Sequence, residues 1–117
     1  MPASKAGTDN EQMELLRGTL DMLILKALIW GPMHGYDVMA WLRSSSEEQL
    51  TIEEGALYPA LHRMEERGWI KADWGLSDNN RRAKFYQLTT RGRQQLSVQT
   101  SSWARYVTVV EKILQTA

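Results

Sequence analysis

Apolar side chains recur at helical spacing through Leu15, Leu16, Leu20, Leu23, Ile24, Ala27 and Leu28, which predicts an amphipathic helix over roughly Glu11 to Trp30. Gly18 weakens its middle and offers Thr19 as an alternative start, while Gly31-Pro32 stops it. A second helix is expected from about Gly35 to Arg43, with Met39 and Leu42 inward, ending at the loop signal Ser44-Ser45-Ser46. The third apolar stripe is Leu57, Ala60, Leu61 and Met64, in a helix expected between Thr51 and Gly68. Thr51 and Glu54 have the spacing of a capping box, in which each side chain satisfies the other residue's backbone N–H. Gly55, Tyr58, Pro59, His62, Arg63 and Glu66 fall on the opposite, outward face. Pro59 sits inside this helix, where its ring crowds the carbonyl of Gly55; a glycine there can give way, and a slight kink is expected. Gly68 fits the C′ position that ends the helix.

The pattern then changes period. Trp69 to Trp74 and Phe85 to Thr89 are rich in aromatic and β-prone residues and read as two strands. Gly75, Ser77, Asp78, Asn79 and Asn80 separate them, a stretch long enough to suggest a mobile loop rather than a tight turn. Thr89 is placed to cap a final helix that runs nearly to the C-terminus. Its stripe is Leu96, Trp103, Val107, Val110 and Leu114, with Tyr106 and Ile113 on the flank. No packed segment follows to cover that stripe, so a second copy of the chain is its simplest partner and a homodimer is expected. The fold class is therefore mainly α with a small β-hairpin: a winged helix-turn-helix followed by a long C-terminal dimerisation helix. The expected division is a flexible N-terminus at 1–10, a winged-helix domain at 11–89 and the dimerisation helix at 90–117.

Composition narrows the chemistry. A chain of 117 residues suits one domain, and without cysteine it has no thiol nucleophile, thiolate metal site or disulfide. It lacks an apolar run of about 18 residues, and Met1 to Asn10 are polar and small, so a soluble cytoplasmic protein without a membrane partner is expected. His34 and His62 lack a ligand motif around them, and Ser44-Ser45-Ser46 lacks a base, so neither a metal site, a cofactor nor a catalytic function is expected.

Net charge is zero, which argues against nucleic acid until its distribution is considered. From Arg81 to Arg93 there are five basic residues and no acid. Helix followed by basic-tipped hairpin is an arrangement in which the helix enters a major groove and the hairpin rides on phosphates. On this reading the partner is double-stranded DNA. Arg81, Arg82 and Lys84 contact phosphates, and Gly55, Tyr58, Pro59, His62 and Arg63 line the face that meets the groove. Plainer roles compete at several positions. His62 can simply bond Glu66, and Arg63 can pair with Glu66 or the wing. Glu53 and Glu54 suit helix-dipole and capping support. His34 and Tyr36 suit capping and core packing at the start of the second helix, while Trp30, Trp41, Trp69 and Trp74 suit core or wing packing.

Five motifs in order are Leu23-Ile-Leu-Lys-Ala-Leu28, Gly31-Pro-Met-His-Gly-Tyr36, the helix Gly55-Ala-Leu-Tyr-Pro-Ala-Leu-His-Arg-Met-Glu-Glu66, Gly68-Trp69-Ile70 and Tyr86-Gln-Leu-Thr-Thr-Arg-Gly92. Together they resemble the PadR family of bacterial transcriptional regulators, over about residues 15 to 115. The resemblance implies a dimeric winged-helix repressor of nearby genes that an effector can relieve, and it adds a DNA-backbone contact for Tyr36. The short C-terminal part resembles the small subfamily with a single terminal helix. In multidrug-sensing members a tryptophan there lines a pore at the dimer centre, and Trp103 in Ser102-Trp-Ala-Arg105 matches that place, which implies a planar aromatic effector; plain dimer packing is the alternative. The rival functional reading is a winged-helix dimer that binds small molecules or proteins without an operator.

Overall fold

The structure is a computed structural model, and it describes residues 18–117. Helix α1 spans Leu20–Ala27 and runs into a 3-10 turn at Leu28–Trp30. Strand β1 is Met33–His34, α2 is Gly35–Ser45 and α3 is Glu54–Glu66. Strands β2 (Ile70–Leu76) and β3 (Arg82–Leu88) form the hairpin, and α4 covers Thr90–Gln115. The fold is a winged helix, mostly helical with one small antiparallel sheet, as the apolar pattern predicts.

Helix α1 follows the alternative start. Gly18 takes a left-handed φ of +87° and Thr19 is the N-cap. The expected helix from Glu11 to Arg17 and the N-terminus at 1–10 lie outside the described residues. The core is small and apolar: Ile24, Leu25, Leu28, Val38, Leu57, Leu61, Met64 and Ile70 are fully buried, and no described polar or charged residue is. All four residues of the expected α3 stripe are in it.

Helix α2 extends two residues beyond Arg43 and ends with Glu47 in a left-handed conformation at φ +54°. The Glu48 N–H donates to the Arg43 carbonyl at 2.7 Å and the Glu47 N–H to that of Ser44 at 3.1 Å, a Schellman ending with glutamate in the usual glycine position. Helix α3 ends the same way with Gly68 at φ +77°: the Trp69 N–H reaches Met64 and the Gly68 N–H reaches Glu65.

Two local expectations are corrected. The capping box at Thr51 does not form. Glu53 is the N-cap and its side chain makes no capping bond, while the Thr51 hydroxyl is buried without a hydrogen-bond partner. Ile52 is drawn into the core, which holds the chain extended for two residues more than the capping box allows. The hairpin is also tighter than its composition suggests. Both strands run on to Leu76 and Arg82, and Ser77 and Arg81 close the turn with a 2.8 Å backbone bond. Asn80, at φ +61°, supplies the left-handed residue of a three-residue turn.

The sheet has a third strand that the pattern does not predict. Its order is β1-β3-β2, with Met33 opposite Tyr86 and His34 opposite Phe85. At the other end of the hairpin, Thr89 locks α4 onto the end of α3. Its hydroxyl points at the carbonyls of Gly68 (2.6 Å) and Trp69 (3.0 Å) and accepts from the Gly92 N–H at 3.0 Å. A Cβ at Gly92 would overlap the Trp69 carbonyl, so this approach requires glycine. Leu96 is buried against the body, and the last turns of α4 are exposed.

Candidate nucleic-acid interface

His34 caps α2 by accepting from the Asp37 N–H at 3.3 Å, and its ring meets Phe85 edge-on with centroids 5.4 Å apart. Of the two roles read for this segment, His34 takes the capping one. Tyr36, two residues on, points into solvent and is 69% exposed. Tyr58 comes from α3 and packs against Gly35, whose missing side chain makes room for its ring. The two tyrosines therefore stand side by side at the mouth of a groove of about 830 Å³ between α2, α3 and the hairpin. Arg81, Arg82, Lys84 and Trp74 line the opposite wall.

The groove joins five of the sequence-selected residues: Tyr36, Tyr58, Arg81, Arg82 and Lys84. Gly55, Pro59, His62 and Arg63 are exposed on α3 but do not line it. His62 lies 3.5 Å from Glu66, the plainer of its two readings. Arg63 pairs with neither Glu66 nor the wing. Its guanidinium bonds Asp21 of α1 at 2.6 Å, a partner 42 positions away that local spacing does not suggest. Glu53 and Glu54 are exposed at the leading end of α3.

The wing cations differ in their surroundings. The Lys84 ammonium is 3.5 Å from Glu65 and lies over the Tyr86 ring at 5.7 Å. The Arg82 guanidinium lies over Trp74 at 4.6 Å. Arg81 is exposed at the turn. Burial, then the carboxylate of Glu54 and the neighbouring Tyr86 and Tyr36, push the Tyr58 hydroxyl above the usual tyrosine range. Burial and Glu65 do the same at Tyr86. Both phenols thus hold their protons to higher pH than a free tyrosine.

Trp74 is the residue that sequence reasoning undervalued. The alternation Ile70, Ala72, Trp74, Leu76 carries one face of β2 from the core out to the groove, and that period-two pattern was its signal.

A second concavity of about 470 Å³ lies between the start of α1 and α4, lined by Met22, Gln99, Ser102, Trp103 and Tyr106 among others. The rings of Trp103 and Tyr106 are 6.3 Å apart. Along α4, Leu96 is buried, Trp103, Val107 and Val110 are half-buried, and Leu114 is 77% exposed. Tyr106 and Ile113 are exposed on the expected flank, and exposed Val109 widens the apolar face further. Among the described residues no helix is long and apolar enough to cross a membrane, and no cluster of side chains suits a metal.

The family model of the transcriptional regulator PadR-like family matches residues 24–98, from the core of α1 through α3 and the hairpin into α4. The chain belongs to the PadR-like family. Among solved structures, a transcriptional regulator from Clostridium thermocellum is 30% identical, with a TM-score of 0.78 over 85% of this chain and 96% of that one. A PadR family transcription regulator from Clostridium difficile is also 30% identical, with a TM-score of 0.72 over 83% and 99% of the two chains. An uncharacterized protein from Lysinibacillus sphaericus is 27% identical over 103 residues, 87% of this chain and 94% of the relative. PadR-like proteins are DNA-binding regulators of transcription and not enzymes.

Proposed function

We propose that this PadR-like chain acts in the cytoplasm as a homodimeric repressor on an inverted-repeat operator. Residues 11–89 form each reading head and residues 90–117 join the two. Helix α3 enters the major groove with Tyr58, Pro59 and His62 leading, Arg63 behind them on Asp21, and Gly55 allowing close approach. The wing holds the flanking backbone through Arg81, Arg82 and Lys84, with Tyr36 on a phosphate of the opposite wall. The observation that carries this reading is the groove itself: Tyr36 and Tyr58 share its lining with three basic residues, Arg81, Arg82 and Lys84, around a volume of about 830 Å³. Leu96, Trp103, Val107, Val110 and Leu114 form the seam between copies and set the half-sites about one helical turn, roughly 34 Å, apart. The cavity beside Trp103 supports a planar aromatic effector that stacks there and shifts the angle between heads.

Binding to a duplex recovered by selection from a random pool tests the proposal. Arg81→Ala with Arg82→Ala should weaken binding to every sequence and lower the log–log salt slope by roughly one for each phosphate left without its cation. An unchanged slope removes the wing from the interface. Failure of the wild-type protein to select any duplex, with saturable binding of aromatic ligands, favours a sequestering dimer instead.

A further inference from the structure

We propose that Trp74 is a positioning residue for DNA binding, and that its indole holds the Arg82 guanidinium flat against the groove wall with its N–H edge turned toward a phosphate. The proposal rests on the DNA-binding reading of the groove and concerns a residue that reading does not use. Strand register places Trp74 on the same face of the hairpin as Tyr86, Lys84 and Arg82. The inner part of that face is core, where Ile70, Tyr86 and Leu88 are buried. Trp74 lies beyond the core and is 61% exposed, so its ring contributes little to holding the protomer together. What it does contact is a cation, with the Arg82 guanidinium carbon 4.6 Å from the ring centre.

A guanidinium stacked on an indole uses its flat face and keeps the donors on its edge. Among the described residues Arg82 has no carboxylate partner, whereas Lys84 shares its charge with Glu65 and Arg63 with Asp21. Arg82 and Trp74 line the same groove as Tyr36 and Tyr58. Arg81 and Arg82 are the groove cations without a carboxylate partner among the described residues, and of the two it is Arg82 whose rotamer is restrained by a ring. That restraint lowers the conformational entropy lost when a phosphate is gripped.

The test uses the full-length protein and a fluorescein-labelled duplex recovered by selection with the wild-type chain. Trp74→Ala should weaken binding about three- to tenfold. Trp74→Phe, which keeps an aromatic face, should recover most of the loss. Trp74→Ala combined with Arg82→Ala should bind no more weakly than Arg82→Ala alone, since the indole acts through the guanidinium. Thermal melting of each variant should match wild type, as expected for an exposed ring. Wild-type affinity in Trp74→Ala overturns the proposal, and so does full additivity of the two alanine changes. A wild-type chain that selects no duplex overturns the DNA-binding reading as well, so the two failures are distinct.

Discussion

The ring of Tyr58 occupies the space that a side chain at Gly35 would need, because a Cβ there would overlap the phenol carbons and hydroxyl. The start of α2 and the exposed face of α3 are thus fitted to each other at the groove mouth. Gly35→Ala should push the Tyr58 ring toward solvent. The protomer should lose only about 1 kcal/mol, since the ring has somewhere to go. Affinity for the selected duplex should fall about tenfold, equivalent to about 1.4 kcal/mol. Melting and duplex titration of the same variant check both halves, and unchanged affinity would show that the tyrosine has no part in the interface.

Alkaline pH tests the two phenols. Both Tyr58 and Tyr86 have their hydroxyls held above the ordinary tyrosine value, chiefly by burial. Their folded pKa exceeds the unfolded one, so the folded state retains these protons longer. Their contribution is fully present below the unfolded value of about 10 and is lost as pH rises through the folded values. Stability should be flat in this respect near neutrality and fall above about pH 10. Tyr58→Phe and Tyr86→Phe should each flatten that fall, which phenolate absorbance and denaturant titration across the alkaline range measure. An identical alkaline profile in both variants contradicts the assignment.

Much of this architecture was legible in the chain because it rests on local periodicity. Leu57, Ala60, Leu61 and Met64 repeat at helical spacing, and all four are core. Glycine and threonine punctuation at Gly68 and Thr89 likewise placed the helix ends. What was not legible depends on partners distant in sequence. Strand β1 is two residues long and exists only because Met33 and His34 find β3. Arg63 meets Asp21 across 42 positions. Thr51 has the spacing of a cap, but the burial of Ile52 beside it decides where α3 begins. At the wing, the groove gathers Tyr58, Arg81, Arg82 and Lys84, singled out by residue chemistry, with Tyr36, which only the family resemblance suggested, and tertiary packing decides that His62 and Arg63 stay outside it.

Glu47 offers a gain in stability. It holds the left-handed position that closes α2, where a Cβ is strained. Glu47→Gly should stabilise the protein by about 0.5–1 kcal/mol after allowing for the added freedom of the unfolded chain. The Arg43–Glu48 ion pair is untouched by this change. A higher denaturation midpoint at constant slope is the expected result. A lower midpoint would mean that the turn does not persist in solution.

The end of α4 tests the dimer. Ile113 is 67% exposed in the protomer, so aspartate there does not disturb the core. Buried between two copies, the same carboxylate would be costly. Ile113→Asp should sediment as a folded monomer at micromolar concentration and bind the selected duplex far more weakly than wild type. A persistent dimer would place the seam elsewhere.

The Thr89 hydroxyl and the close backbone approach at Gly92 pin α4 to the closing turn of α3, across the hairpin that separates the two helices in sequence. The 26 residues of α4 make a rod about 39 Å long at 1.5 Å per residue. Its hinge end is fixed to the element that carries Tyr58 and His62. Rotating such a rod by about five degrees moves its far end by roughly 3 Å, comparable to the rise between successive base pairs. In the proposed dimer such a joint makes a mechanical lever, in which a slight change in how the two copies of α4 cross becomes a whole-step change in where the two heads land.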